Sequence, residues 1–122
     1  MTWTYTQATG DLAQDGEVKA TGYSGADVGK NNPTLQQVHN VGPIPVGRYT
    51  IEAPVDTKTH GPYVLPLEPD PTNEMYGRAG FLIHGDSVVR PGTASEGCLI
   101  FARTIREQVW ASGDTSLEVI SG

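Results

Sequence analysis

The chain has 122 residues, enough for one domain with one core and too few for a second. Fourteen acidic against eight basic side chains give a net charge of -6, which, with no basic stripe, excludes nucleic-acid binding by phosphate neutralisation. Hydrophobic residues make up 37% of the chain, and fifteen glycines with nine prolines argue against a helical bundle and for a loop-rich β fold.

Trp3, Tyr5 and Gln7 alternate with Thr2, Thr4 and Thr6, the period-2 pattern of a strand buried on one face. Asp15-Gly16 is a hairpin signal, with residues 17–22 as the returning strand. Residues 23–33 are rich in glycine and asparagine and read as a loop. Asn32 caps a short predicted helix with Pro33 at its first position, running to Val38. Residues 42–47 form a turn with two prolines, followed by strands over 48–53, 63–67 and 80–83. The best helix is 102–110, with Ile105 and Val109 on one face and Gly113 as its stop. Residues 117–120 close the chain as a strand. The expected fold is therefore mostly β, a sandwich or partly closed barrel with one α-helix in the C-terminal half, spanning residues 1–122 as a single domain.

No stretch approaches the length of a membrane span, and the N-terminus lacks a basic segment followed by an apolar run. A soluble monomer is expected, with no membrane partner and no signal peptide of its own.

The chemistry concentrates between Phe81 and Ile100. An apolar strand ends in His84-Gly85, and the only cysteine, Cys98, follows fourteen residues after the histidine. A thiol nucleophile needs a base beside it, and a strand end holds an imidazole rigidly. Gly97 allows a substrate carbonyl to approach the backbone and amide groups to converge on an oxyanion. On these residues alone the reading stays open, because a single cysteine followed by Leu99-Ile100 also suits a small buried apolar side chain.

Two motifs resemble the catalytic domain of the L,D-transpeptidases: His84-Gly85 with Ser95-Glu96-Gly97-Cys98, and the turn Pro45-Val46-Gly47-Arg48-Tyr49 entering a strand. The segments Gly22-Tyr23-Ser24-Gly25 and Asn31-Asn32-Pro33 are similar to those of a small single-domain branch that includes peptidoglycan-targeting effectors of type VI secretion systems. The resemblance implies Cys98 as nucleophile, His84 as base and tetrapeptide stems of peptidoglycan as substrate. It also implies action in the periplasm, delivery by a specialised secretion machinery, and a cognate immunity protein. Cysteine would be acylated as the terminal D-alanine leaves, and water, a D-amino acid or another stem would take the acyl group. A Cys/His amidase or endopeptidase, or a non-catalytic peptidoglycan-binding module, are the alternatives.

The chain departs from that family at Glu96, where histidine is frequent, and at Ile100, where arginine is frequent. Glu96 would disfavour the thiolate by like-charge repulsion. Asp86 is a candidate to orient His84 as a third triad member. Arg78 and Arg90 are candidates to bind a stem carboxylate bidentately, and Tyr23, Ser24, Asn32 and Ser95 to line the substrate groove. No cofactor is expected. Metal binding by His39, His60, His84 and Cys98 is disfavoured because none shows ligand spacing; His39 and His60 read as surface or turn residues. The glycines of 25–31 lack the spacing and the hydroxyl residue of a phosphate loop.

Overall fold

A computed structural model describes residues 2–122. It contains ten strands and one α-helix: β1 (Trp3–Thr6), β2 (Asp11–Gln14), β3 (Glu17–Thr21), β4 (Tyr23–Ser24), β5 (Gly47–Ile51), β6 (Val55–Thr57), β7 (Gly61–Pro69), β8 (Leu82–His84), β9 (Leu99–Ile100), α1 (Arg103–Ala111) and β10 (Ser116–Ile120). The fold is mostly β with a single α-helix in the C-terminal half, as the sequence predicts.

The expected N-terminal hairpin forms. Asp15 and Gly16 both take positive φ, 54° and 78°, the conformation a two-residue turn needs to match the twist of its strands. The strand alternation also holds, for Trp3 and Tyr5 point inward with Gln7 just beyond the strand. β1 then pairs in parallel with β10, setting Trp3 against Leu117 and Tyr5 against Val119. All four are buried, so the hydrophobic pattern fixes this register.

The strand order is β3-β2-β1-β10-β5-β7-β8-β9-β4, with β6 paired to β7 off the path. Its two ends, β3 and β4, are separated in the chain by Gly22 alone. The sheet therefore curls until its edges approach at one residue, without a ladder closing them. Gly22 donates to the Gly10 carbonyl at 2.8 Å. A Cβ there would drive into the Ile100 carbonyl and the Phe101 ring, so the seam requires glycine.

The core fills the inside of the curl. Tyr5 and Phe101 meet edge to face with centroids 6.0 Å apart, worth about 1 kcal/mol beyond area burial. α1 lays Val109 into this core, with Ile105 and Trp110 packed at its margin; burying Val109 stabilises by roughly 2 kcal/mol. Its C-terminus is tied down by Trp3 Nε1, which donates to Ser112 Oγ at 3.2 Å.

The predicted helix after Asn32 is corrected. The Asn32 side chain does accept from the Thr34 amide, but only a 3₁₀ turn, Pro33–Leu35, forms. The Gln36 carbonyl instead accepts from Arg78 Nη1 at 2.6 Å, so it is drawn away from any helical ladder. Within the predicted 23–33 loop lie β4 and a 3₁₀ turn, Asp27–Gly29.

Candidate functional site

β8 and β9 are parallel neighbours in register, Ile83 against Leu99 and His84 against Ile100. His84 thus ends one strand while Cys98 immediately precedes the other. With strands about 4.8 Å apart and residues advancing about 3.3 Å, the diagonal between positions 84 and 98 is roughly 8 Å at Cα. The register puts the two residues on one face, and Cys98 Sγ donates to the Gly80 carbonyl at 3.9 Å. Both side chains line one cleft of about 770 Å³, a size that suits a peptide segment.

His84 is buried, and its Nδ1 lies 2.9 Å from the carbonyl of Gly85. A carbonyl only accepts, so this contact puts the ring proton on Nδ1 and leaves the Nε2 lone pair available. Burial pushes the imidazole below its ordinary value, His60 and Arg106 act the same way, and the Gly85 carbonyl and Asp86 oppose them. Burial also pushes the Cys98 thiol up, and the Glu96 carboxylate adds to that. The Leu82 amide and the Arg78 guanidinium pull it down. Both shifts favour the neutral thiol and the neutral imidazole.

The loop between β8 and β9 is pinned from β4. Tyr23 donates its hydroxyl to Asp86 Oδ1 at 2.5 Å and accepts from the Ala94 amide at 2.9 Å. Asp86 also accepts from the amides of Ser87 and Gly92. Lys30 sits over the Tyr23 ring, 4.5 Å from its centroid. Burial pushes the Tyr23 phenol up to about 12, and the hydrogen bond to Asp86 adds to this. Asp86 therefore fastens the loop, and the partner of His84 Nδ1 is the Gly85 carbonyl, not this carboxylate.

Other expected substrate contacts prove to be built into the fold. Arg78 is buried, and its four terminal N–H groups reach the carbonyls of Gln36, Pro43, Gly42 and Glu96 at 2.6 to 3.1 Å. No fork is left for a carboxylate, although the side chain borders the cleft. Arg90 is exposed and lies off the cleft. Ser95 Oγ accepts from the Gly25 and Gly97 amides and donates to the Cys98 carbonyl, so it shapes the turn before the thiol. Ser24 Oγ donates to the Gly97 carbonyl and accepts from the Ile44 amide. Asn32 caps its 3₁₀ turn, away from the cleft.

The amide of Gly97 is committed to Ser95 Oγ at 3.0 Å, and this residue stands at φ 136°. A Cβ there would collide with Arg78 Nη2 and press on Phe81, so the residue before Cys98 must be glycine. Glu96 borders the cleft with an exposed side chain. Gly85 borders it too, backed by Arg106. That arginine donates to the carbonyls of Tyr63, Phe101 and Pro62 and so ties α1 to β7.

His39 and His60, read from sequence as surface or turn residues, both border the cleft. The His60 ring packs on the His84 ring with centroids 4.6 Å apart, tilted by 50°. No spacing in the sequence signals this approach, since His60 stands at the turn between β6 and β7, far along the chain from His84. Among the described residues, no group of three or more His, Cys, Asp or Glu side chains could hold a metal ion.

Compared with known proteins, residues 18–119 match the family model described as the Tlde1 domain. No curated protein and no solved structure matches the chain.

Proposed function

The chain belongs to the Tlde1 domain family, peptidoglycan-targeting effectors of type VI secretion systems, and on that premise we propose that it is a cysteine acyltransferase of the L,D-transpeptidase type. Residues 1–122 form one catalytic domain, with Cys98 as nucleophile and His84 as base. It acts on tetrapeptide stems in the periplasm of a target cell, after delivery by the secretion machinery, and an immunity protein protects the producer.

The observation that carries this reading is the parallel β8–β9 pair, which sets a histidine with its Nδ1 proton fixed and a thiol on one cleft. His84 Nε2 takes the proton from Cys98 Sγ as sulfur attacks the carbonyl at the L-centre of the diamino acid. The C–N bond to D-alanine breaks, His84 returns the proton to the departing amine, and a thioester remains. Water, a free D-amino acid or a neighbouring stem then attacks the thioester, giving hydrolysis, exchange or cross-linking.

Incubation of purified muropeptides with the protein, followed by mass spectrometry, tests this. Tetrapeptide stems are expected to lose or exchange D-alanine, and Cys98→Ala and His84→Ala are each expected to abolish this with the fold intact, because nucleophile and base act as a unit. Fragments cut at the amide bond to the sugar or within the stem would assign an amidase or endopeptidase instead. Substantial turnover by Cys98→Ala would overturn the mechanism.

A further inference from the structure

The turn Thr57-Lys58-Thr59-His60-Gly61 holds one imidazole in a fixed place. The His60 amide donates to Thr57 Oγ1 at 2.8 Å, and its Nδ1 lies 2.9 Å from Thr59 Oγ1. When the threonine hydroxyl donates to Nδ1, the ring proton resides on Nε2. That nitrogen has no protein partner among the described residues, the side chain is exposed, and the residue borders the cleft.

A stem peptide is rich in carboxylates, so its cleft needs a donor to receive one. The other imidazole and guanidinium side chains along the cleft are already engaged. Arg78 has its four terminal N–H groups on backbone carbonyls. His39 Nε2 meets the Tyr76 carbonyl at 2.8 Å, and that contact takes its ring proton. His84 has its Nδ1 proton on the Gly85 carbonyl, and the proposed mechanism uses its Nε2 as the base. We propose that His60 Nε2–H receives a carboxylate of the bound stem peptide, making His60 a specificity-determining residue for the reaction proposed above, on which this role rests. Its ring lies against that of His84, so a carboxylate held there also favours the imidazolium that forms when His84 takes the thiol proton.

Binding to the Cys98→Ala protein, measured by calorimetry, separates this role from turnover. The ligands are L-Ala-γ-D-Glu-diaminopimelate-D-Ala and its analogues amidated at one carboxylate at a time. One amidation is expected to weaken binding roughly tenfold, the loss of a hydrogen bond to a charged group, and the analogue that does so identifies the carboxylate. Adding His60→Ala is expected to weaken the acid form by the same factor and to remove the amidation penalty, with the melting temperature unchanged. His60→Gln keeps an N–H donor at similar reach and is expected to retain part of the affinity. An acid form bound as tightly after His60→Ala, or an amidation penalty that persists, overturns the role of His60. Peptide binding without D-alanine release by the unmutated chain overturns the acyl-transfer reading and leaves only the carboxylate contact of His60 standing; no binding by any form overturns that contact.

Discussion

Replacing Glu96 with Gln isolates one charge acting on the thiol. Burial is the main cause that raises Cys98, and Glu96 is the carboxylate that adds to it. The Glu96 carbonyl accepts from Arg78 Nη2 at 3.1 Å, so its backbone is anchored while the side chain stays exposed. A span of two residues sets a scale of about 7 Å for the separation of the charges. Across water that separation is worth about 0.6 kcal/mol, a factor of ~2 to 3 in thiolate fraction below the midpoint. Glu96→Gln is thus expected to speed alkylation of Cys98 by that factor at neutral pH. The gain should shrink at roughly 1 M salt, where the Debye length falls to about 3 Å. Pseudo-first-order rates with iodoacetamide, taken across pH at low and high salt, measure it. Equal rates for the two proteins at low salt would refute the repulsion, and a gain that survives high salt would refute its passage through solvent.

Three further outcomes follow from the site. Burial holds the His84 imidazole below its ordinary value of 6.5, so the acid limb of kcat/KM is expected to fall below pH 6.5; a midpoint at or above that value in the pH–rate profile contradicts the burial argument. The unfolded chain binds that proton at higher pH than the folded one, so the same burial makes acidification through pH 6.5 destabilising. Tyr23→Phe removes the donor to Asp86 and the acceptor of the Ala94 amide. It is expected to cost about 1 kcal/mol in this partly exposed setting, to speed amide exchange across residues 86–94, and to lower kcat/KM; unchanged exchange there would show that the loop is held otherwise.

What the sequence reveals is local. Period-2 alternation marks β1, Asp15-Gly16 marks its hairpin, and Ile105 with Val109 marks α1, because each depends on residues within a few positions of one another. What it hides is long-range. β9 and β4 have two residues each, too few for a pattern, and exist because β8 supplies a parallel edge and β9 an antiparallel one. Arg78 looks like a free cation because its partners are backbone carbonyls, which leave no trace in side-chain identity. Asp86 looks like a triad member because it stands two residues from His84, whereas its side-chain partner Tyr23 lies 63 positions away. His60 has the same difficulty in reverse, an imidazole at an unremarkable turn that folding lays against the His84 ring.

The strongest motif, Ser95-Glu96-Gly97-Cys98, combines both kinds of information. Read locally it suggests serine for substrate and glycine for an oxyanion, yet the Ser95 hydroxyl and the Gly97 amide bond to each other. Their work is to set the turn that delivers Cys98 beside β8. With that turn fixed, burial lowers the affinity of the imidazole for a proton and raises that of the thiol, which stabilises the uncharged pair over the ion pair. On the proposed reading the proton therefore moves to His84 as sulfur attacks, not before. On the role proposed for His60, a carboxylate arriving next to the two tilted imidazoles shifts that balance toward the imidazolium, so that substrate binding itself helps to activate Cys98.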